Sequence, residues 1–375
     1  MWGVQREHGI RTVGAWVVAA AGVGLLVASS ASAVTARRTV ALHVTVNGSG
    51  TVRVPGHPAF TCRASFPTSR HCPRTFQVRK GRRIVIRESP ASGWKLWRWS
   101  GACHGSAASC SLRVKARRFV TASFARTTYT HVVWVVMENH SYSQIIGASA
   151  APYTNYLAKT YGNAEATYAE THPSLPNYIA MTSGGTQGIK DDLPPSYHGL
   201  AVNNIFHQLG TGARSYAETM PSNCYKKDYP KYALGSNPAV YYTNWTPCST
   251  QDVPLTSTPN FSARFTFVTP NLCHDMHSCS ISAGDTWLKG FIPKILNSTL
   301  YKSGSTVIFL TWDEDSFTST NHVPMIVISP TSRGIVSSTS FTHYSMLRTT
   351  EEILGEPLLG AAASATSMRA TFHLR

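Results

Sequence analysis

Acidic side chains are scarce in this chain of 375 residues: Asp and Glu total 18 against 34 Lys and Arg, for a formal net charge of +16. The shortage is local. Residues 34–126 hold 18 basic side chains and a single acid, Glu88, a net +17, whereas residues 127–375 hold 14 basic and 16 acidic ones, a net −2. Two modules of different electrostatic character are therefore joined. Past residue 33 no stretch is apolar enough to span a bilayer. The glycine-rich phosphate and dinucleotide loops are missing too, and nothing suggests a coiled coil. With 42% hydrophobic and 14% charged residues, the chain is neither disordered nor fibrous and has apolar material for one sizeable core and a smaller one.

What is present begins with an export signal. Arg6 and Arg11 precede an uncharged run from Val13 to Ala28 and the small-residue site Ala31-Ser32-Ala33. This pattern predicts a secretory signal over residues 1–33, since the apolar run is short for a membrane anchor. The expected destination is the extracellular space or the cell envelope. Eight cysteines suit it and divide four and four between the modules: Cys62, Cys72, Cys103 and Cys110, then Cys224, Cys248, Cys273 and Cys279. Nearest-neighbour disulfides are expected, because each pair closes a short loop within one module. The rival is a thiolate metal site at Cys273 and Cys279, beside His274 and His277, which an oxidising compartment disfavours.

Residues 34–126 read as a small all-β accessory domain. Apolar and polar residues alternate in short runs, VALHVTV, GTVRV, RRIVIRE, SLRVKA and RFVTASF, with turn residues between them. Trp94, Trp97 and Trp99 stand near Cys103 and Cys110, and Trp97 and Trp99 are expected to share a strand face, as a core pair rather than an exposed stacking platform. This stretch resembles bacterial repeat modules related to the internalin B-repeat, which implies an accessory or spacer role at a bacterial surface. The dense positive charge attracts polyanions. An anionic cell-surface polymer or lipid is the expected class of partner, without specific nucleic-acid recognition.

Residues 127–375 carry the chemistry. His131-Val-Val-Trp-Val-Val-Met137 is apolar throughout, as a buried parallel strand is, and is followed by Glu138 and Asn139. Thr306 to Trp312 is a second such run and ends in Asp313-Glu314-Asp315; a third, Val323 to Pro330, follows His322. Ligands of open α/β sheets bind beyond the carboxyl ends of strands, so these polar groups are expected to form one site. Ser174, in Thr-His-Pro-Ser-Leu-Pro-Asn-Tyr, fits the start of a helix, where free N–H groups favour an anion, although a plain N-cap serine has the same signature.

These motifs, together with Thr269 to His277 and Thr342 to Gly355, fall in the order seen in the bacterial phosphoesterase family of phospholipase C and acid phosphatase, which this chain resembles over residues 130–360. The resemblance implies an alkaline-phosphatase-like α/β sandwich with a mostly parallel sheet. It implies metal-dependent hydrolysis of phosphate esters through a phosphoserine, with Ser174 as nucleophile. Glu138, Asn139, Ser174, Asp313 and Glu314 are the implied ligands of a divalent metal. Hard oxygen donors suit Mg, Ca or Mn, with Zn the borderline alternative. His172, His277 and His322 are the implied proton donors and phosphoryl-oxygen holders, and His274, Asp275 and His277 a possible second metal or phosphate site. Asp285 reads as a helix N-cap and is assigned no chemistry.

Asp313-Glu314 stands where the wider superfamily pairs aspartate with histidine, which fits one tightly held metal at least as well as two; the favoured activity is acid-phosphatase-like hydrolysis of phosphate monoesters, because this module lacks the insertions that shape a lipid pocket in larger phospholipase C members. A phospholipase C acting on lipid headgroups, and a non-catalytic anionic-polymer binding protein, are the alternatives.

Overall fold

The alternating runs of the basic module become eight strands in a computed structural model that describes residues 38–63, 71–91, 94–126 and 129–374. The export signal expected at residues 1–33 lies outside the described residues. The strands are β1 (Thr39–Asn47), β2 (Gly50–Arg53), β3 (Phe60–Cys62), β4 (His71–Arg79), β5 (Arg83–Pro90), β6 (Trp94–Gly101), β7 (Ser109–Arg113) and β8 (Arg118–Arg126). They form two four-stranded sheets, ordered β4-β1-β8-β6 and β3-β2-β5-β7. Pairing is antiparallel except between β1 and β8, which run parallel. Leu42, Val44, Val46, Ile86, Trp99 and Phe124 are among the side chains that fill one core. Disulfides Cys62–Cys72 and Cys103–Cys110 are formed as expected.

The tryptophans depart from expectation. The β6–β8 register shifts between Leu96 and Arg98, so a bulge at Trp97 breaks the alternation that would have put Trp97 and Trp99 on one face. Trp99 is buried and donates its indole N–H to Ala107 O at 2.8 Å. Trp97 is half-buried, with the guanidinium carbons of Arg98 and Arg333 4.5 and 5.7 Å from its ring centroid.

The second module is built on one eight-stranded mixed sheet: β9 (His131–Met137), β10 (Gly162–Tyr168), β11 (Ala213–Ala217), β12 (Asp252–Pro254), β13 (Phe265–Thr269), β14 (Thr306–Trp312), β15 (Met325–Ile328) and β16 (Val336–Thr342), in the order β12-β11-β13-β9-β14-β15-β10-β16. Only β15 runs antiparallel to its neighbours. Its N-terminal end, carrying His322, therefore lies at the edge where β14 ends.

Helices cover both faces, which is why β9 is apolar on both sides. Val132, Trp134 and Val136 pack in one cluster with Ile179 and Leu347, and Val133 and Val135 in another with Leu157 and Leu288. Helices α2 (Ser174–Ser183) and α4 (His343–Leu354) thus lie on one face, and α1 (Pro152–Thr160) and α3 (Ile281–Leu296) on the other. In α3 the buried Leu288, Phe291, Ile292 and Ile295 follow the i, i+3, i+4, i+7 spacing of an amphipathic helix. Each contributes about 2 kcal/mol by burial. Ser280 caps this helix, its Oγ accepting from Ala283 N. Asp285 is not that cap: it accepts from Tyr153 N, Thr154 N and Thr154 Oγ1 at 2.7–2.9 Å, and so caps α1, which has no capping side chain of its own. Cys224–Cys248 and Cys273–Cys279 are disulfides, so no thiolate site exists there. Among the described residues no helix is long and apolar enough to cross a membrane.

Candidate active site

Strands β9 and β14 lie side by side in parallel, Met137 opposite Trp312. The residues that follow them, Glu138-Asn139 and Asp313-Glu314, therefore leave the sheet together. Asp313 N donates to Met137 O at 3.0 Å, and Asn139 N donates to Asp313 Oδ1 at 3.1 Å. Asn139 adopts φ +56, a left-handed turn that asparagine tolerates.

Ser174 is the first residue of α2 and its Oγ reaches this edge: 3.1 Å from Glu138 Oε2, 3.0 Å from Glu314 Oε1 and 3.4 Å from Asn139 Oδ1. One hydroxyl proton faces three acceptors. Tyr178, one turn along α2, donates its hydroxyl to Glu138 Oε1 at 2.7 Å, as does Ser236 Oγ. Burial keeps the Tyr178 phenol protonated for that role. Asp192 Oδ1 accepts from Leu175 N at 2.9 Å, tying down the helix start. His172 Nδ1 lies 2.6 Å from Glu314 Oε2, and its ring is stacked on Phe317 with centroids 4.7 Å apart and planes at 16°. Phe317 is 66% exposed and sits at φ +62. Asp315 holds the turn around it, accepting from Thr318 N and His322 N.

Glu138, Asp275, Asp313 and Glu314 are all buried. Burial, then the charges of Glu138 and Glu314, drives the Asp313 carboxyl far above its ordinary range. Burial and Glu138 raise Asp275 to about 9. Burial raises Glu314 to about 7, with His172 pulling the other way. Asp313 Oδ2 and Asp275 Oδ2 have no hydrogen-bond partner. Clustered carboxylates with unpartnered oxygens, joined by amide and hydroxyl oxygens, fit a hard divalent cation.

The five residues expected to bind a metal, with His172, are thus brought together. The remaining histidines point elsewhere. His274 Nδ1 lies 2.8 Å from Glu218 Oε2, His277 is exposed with Nδ1 3.0 Å from Ser278 Oγ, and Asp275 Oδ1 accepts from His277 N. His274 and His277 thus have separate partners, Glu218 and Ser278, while Asp275 is buried. His322 stacks on Tyr142 at 4.8 Å with its Nε2 2.7 Å from Glu165 O. His343 is buried between Glu170 and Trp312 O. Tyr178 escaped the sequence reading, although its i+4 spacing from Ser174 places it on the same helix face. Ser236, Asp192 and Phe317 carried no signal in sequence.

The phosphoesterase family profile matches residues 148–356, which include Ser174, Asp313 and Glu314. The chain belongs to the phosphoesterase family. This phosphoesterase, a hydrolase of phosphate esters, is 35% identical over 253 residues to a phosphatidylinositol-3-phosphatase of Mycobacterium tuberculosis, across 65% of this chain and 83% of that one. It is 29% identical over 224 residues to an acid phosphatase of Aspergillus fumigatus, covering 52% of this chain and 48% of the relative, so it spans about half of that fungal protein. Among solved structures it is similar to a protein of the alkaline phosphatase superfamily from Vibrio parahaemolyticus, with TM-score 0.46 and 12% identity over 65% of this chain and 72% of that one.

Proposed function

We propose that this phosphoesterase is an exported, metal-dependent phosphatase of phosphate monoesters, with an alkaline-phosphatase-like catalytic module at residues 127–375 and a repeat-type accessory module at residues 34–126. The observation that carries this reading is the Ser174 hydroxyl, set at a helix start against Glu138, Asn139 and Glu314. The relatives it matches bear phosphatase names, which favours a monoester over a phospholipase C substrate. The uncharged run ahead of Ala33 and the four disulfides favour export.

Glu138, Asn139, Ser174, Asp313 and Glu314 are the residues that would hold the divalent cation. When bound, it lowers the pKa of the serine hydroxyl and neutralises charge on the phosphoryl oxygens. Ser174 Oγ attacks phosphorus, the bond to the leaving alcohol breaks, and a phosphoserine results. Glu314 Oε1, 3.0 Å from Ser174 Oγ, accepts the hydroxyl proton, and His172 on the other Glu314 oxygen carries a proton to the leaving alcohol. Water then attacks the phosphoserine and releases phosphate. Phe317, exposed beside His172, gives an apolar leaving group a surface to lie on.

The test is hydrolysis of a chromogenic phosphate monoester, a phosphodiester and phosphatidylcholine by the protein from Val34, across pH 4 to 9, with and without chelator. Chelator-sensitive monoester turnover that Ser174→Ala abolishes is expected. Preference for phosphatidylcholine would move the assignment to a phospholipase C, and no turnover with any divalent metal to a binding protein.

A further inference from the structure

In the basic module the sheet β3-β2-β5-β7 turns its second face to solvent. Register decides what that face carries. Arg53 of β2 is directly opposite Arg87 of β5, and Arg83 of β5 is directly opposite Arg113 of β7. Directly opposed residues in antiparallel strands have Cβ atoms about 5 Å apart, and like charges there are destabilising. All four arginines are exposed, while Ile84, Ile86 and Leu112 between them are buried. The rest of the face is Thr51, Thr61, Val85, Ser89, Ser109 and Ser111. Among the described residues none of the four arginines is ion-paired. The single acid of the module cannot serve them. Glu88 pairs with the buried Val52 and so stands on the opposite, inward side, where burial raises its pKa and its Oε2 has no hydrogen-bond partner.

Beside this face lies a cleft of about 670 Å³ between residues 55–57 and the turn joining β4 to β5. Arg83 and Arg87 form its boundary with the face, and Arg79, Arg82 and His57 add to its lining. Four arginines thus line the cleft and two more, Arg53 and Arg113, stand on the adjoining face, with no lysine or acid among the described residues of either. Two repelling cross-strand pairs stand where one substitution in each would relieve it, and an anionic ligand converts that repulsion into binding.

We propose that this face and cleft bind a flexible polymer carrying repeated phosphate groups, read through its charge alone. Arginine forks match phosphate oxygens two at a time. A bilayer is the poorer fit: among the described residues no large apolar side chain is exposed on this face to enter it, and the exposed aromatic Phe119 belongs to β8 of the other sheet. A nucleic acid is poorer as well, because the face offers no aromatic side chain on which bases stack. The site is separate from Ser174 and does not depend on the proposed hydrolysis.

The test uses the full mature chain bearing Ser174→Ala, in chelator, so that neither turnover nor the metal site contributes. Long-chain inorganic polyphosphate is titrated at several salt concentrations against two variants of equal net charge. The first is Arg53→Gln/Arg83→Gln/Arg87→Gln/Arg113→Gln. The second is Arg74→Gln/Lys115→Gln/Arg117→Gln/Arg118→Gln, which removes four cations elsewhere in the module. The first is expected to lower the slope of log K against log salt by about 3, at ~0.7 per lost phosphate contact, and to melt no lower than the parent. The second is expected to change the slope by less than about 1. Equal losses in both would reduce the effect to net charge and overturn the site. Tighter binding to single-stranded DNA, or to phosphatidylserine vesicles, with the same dependence on the four arginines would overturn the ligand class.

Discussion

Ser174 Oγ donates to Glu314 Oε1 at 3.0 Å across 140 residues of sequence, joining the start of α2 to the end of β14. Neither residue has a reason to stand there for stability. The hydroxyl faces more acceptors than it has protons, and Glu314 is a buried carboxylate held by one imidazole. Such an arrangement is disfavoured in a structural core and suits a site that receives a cation and a phosphoryl group.

The first prediction concerns that hydroxyl. Ser174→Ala removes an oxygen from among repelling acceptors and opens no apolar cavity. Monoester turnover should fall by more than about 10³-fold, roughly 4 kcal/mol of transition-state stabilisation, with the melting temperature unchanged within about 2 °C. Steady-state kinetics beside a thermal melt checks both. Residual turnover above a tenth of wild type would remove Ser174 from the nucleophile role.

A second prediction follows from the unpartnered Asp313 Oδ2. Chelation should abolish turnover, and returning Mg, Ca, Mn or Zn should restore it for the ions that fit. The restoring ion should also raise the melting temperature by several degrees, since saturation at a hundred times Kd is worth about 2.7 kcal/mol. Asp313→Asn should lose both responses. A wild-type protein whose melting temperature ignores every divalent ion would contradict the ligand set.

The site was legible where chemistry followed a strand. Apolar runs at 131–137 and 306–312, followed by Glu138-Asn139 and Asp313-Glu314, pointed to four of the five residues proposed to hold the metal, and parallel pairing of β9 with β14 brings them to one edge. Direction was not legible for β15, because a four-residue apolar run reads the same either way, and only its pairing makes it antiparallel. His274, Asp275 and His277 were grouped by the family motif they fall in, which does not carry their partners: His274 Nδ1 lies beside Glu218, His277 is exposed beside Ser278, and Asp275 is buried. Asp285 was misread because its partners, Tyr153 and Thr154, are about 130 residues away. A bulge likewise leaves no composition signal, which hid the separation of Trp97 from Trp99.

Phe317 supplies a third prediction. A bulky residue at φ +62 is disfavoured by about 1–2 kcal/mol, and 66% exposure recovers little of it by burial. Phe317→Gly removes the ring where glycine is at ease. KM for an aryl phosphate should rise about 10-fold, the loss of one aromatic contact of roughly 1.4 kcal/mol, while kcat and the KM for glycerol phosphate change less than about twofold. Stability should be unchanged or higher. An equal rise in KM for both substrates would mean that the ring positions His172 instead of meeting the leaving group.

The last prediction uses a buried acid away from the site. Asp252, at the start of β12, is fully buried and accepts both its side-chain contacts at 3.1–3.2 Å from Asn237 Nδ2. Burial raises its carboxyl to about 7, with Asn237 and Ser215 opposing. An acid whose folded pKa exceeds its unfolded value binds more protons in the folded state between the two. Its contribution to stability is therefore complete below pH ~4 and is lost as pH rises to about 7, roughly 4 kcal/mol in all. Asp252→Asn keeps the size and the carbonyl acceptor but does not ionise. Urea midpoints measured from pH 4.5 to 8 should show the wild type falling relative to the variant, the two nearly equal at pH 4.5 and the variant more stable at pH 8. A constant difference across that range would mean that Asp252 stays ionised in the folded protein, with Asn237 and Ser215 stabilising the charge as much as burial disfavours it.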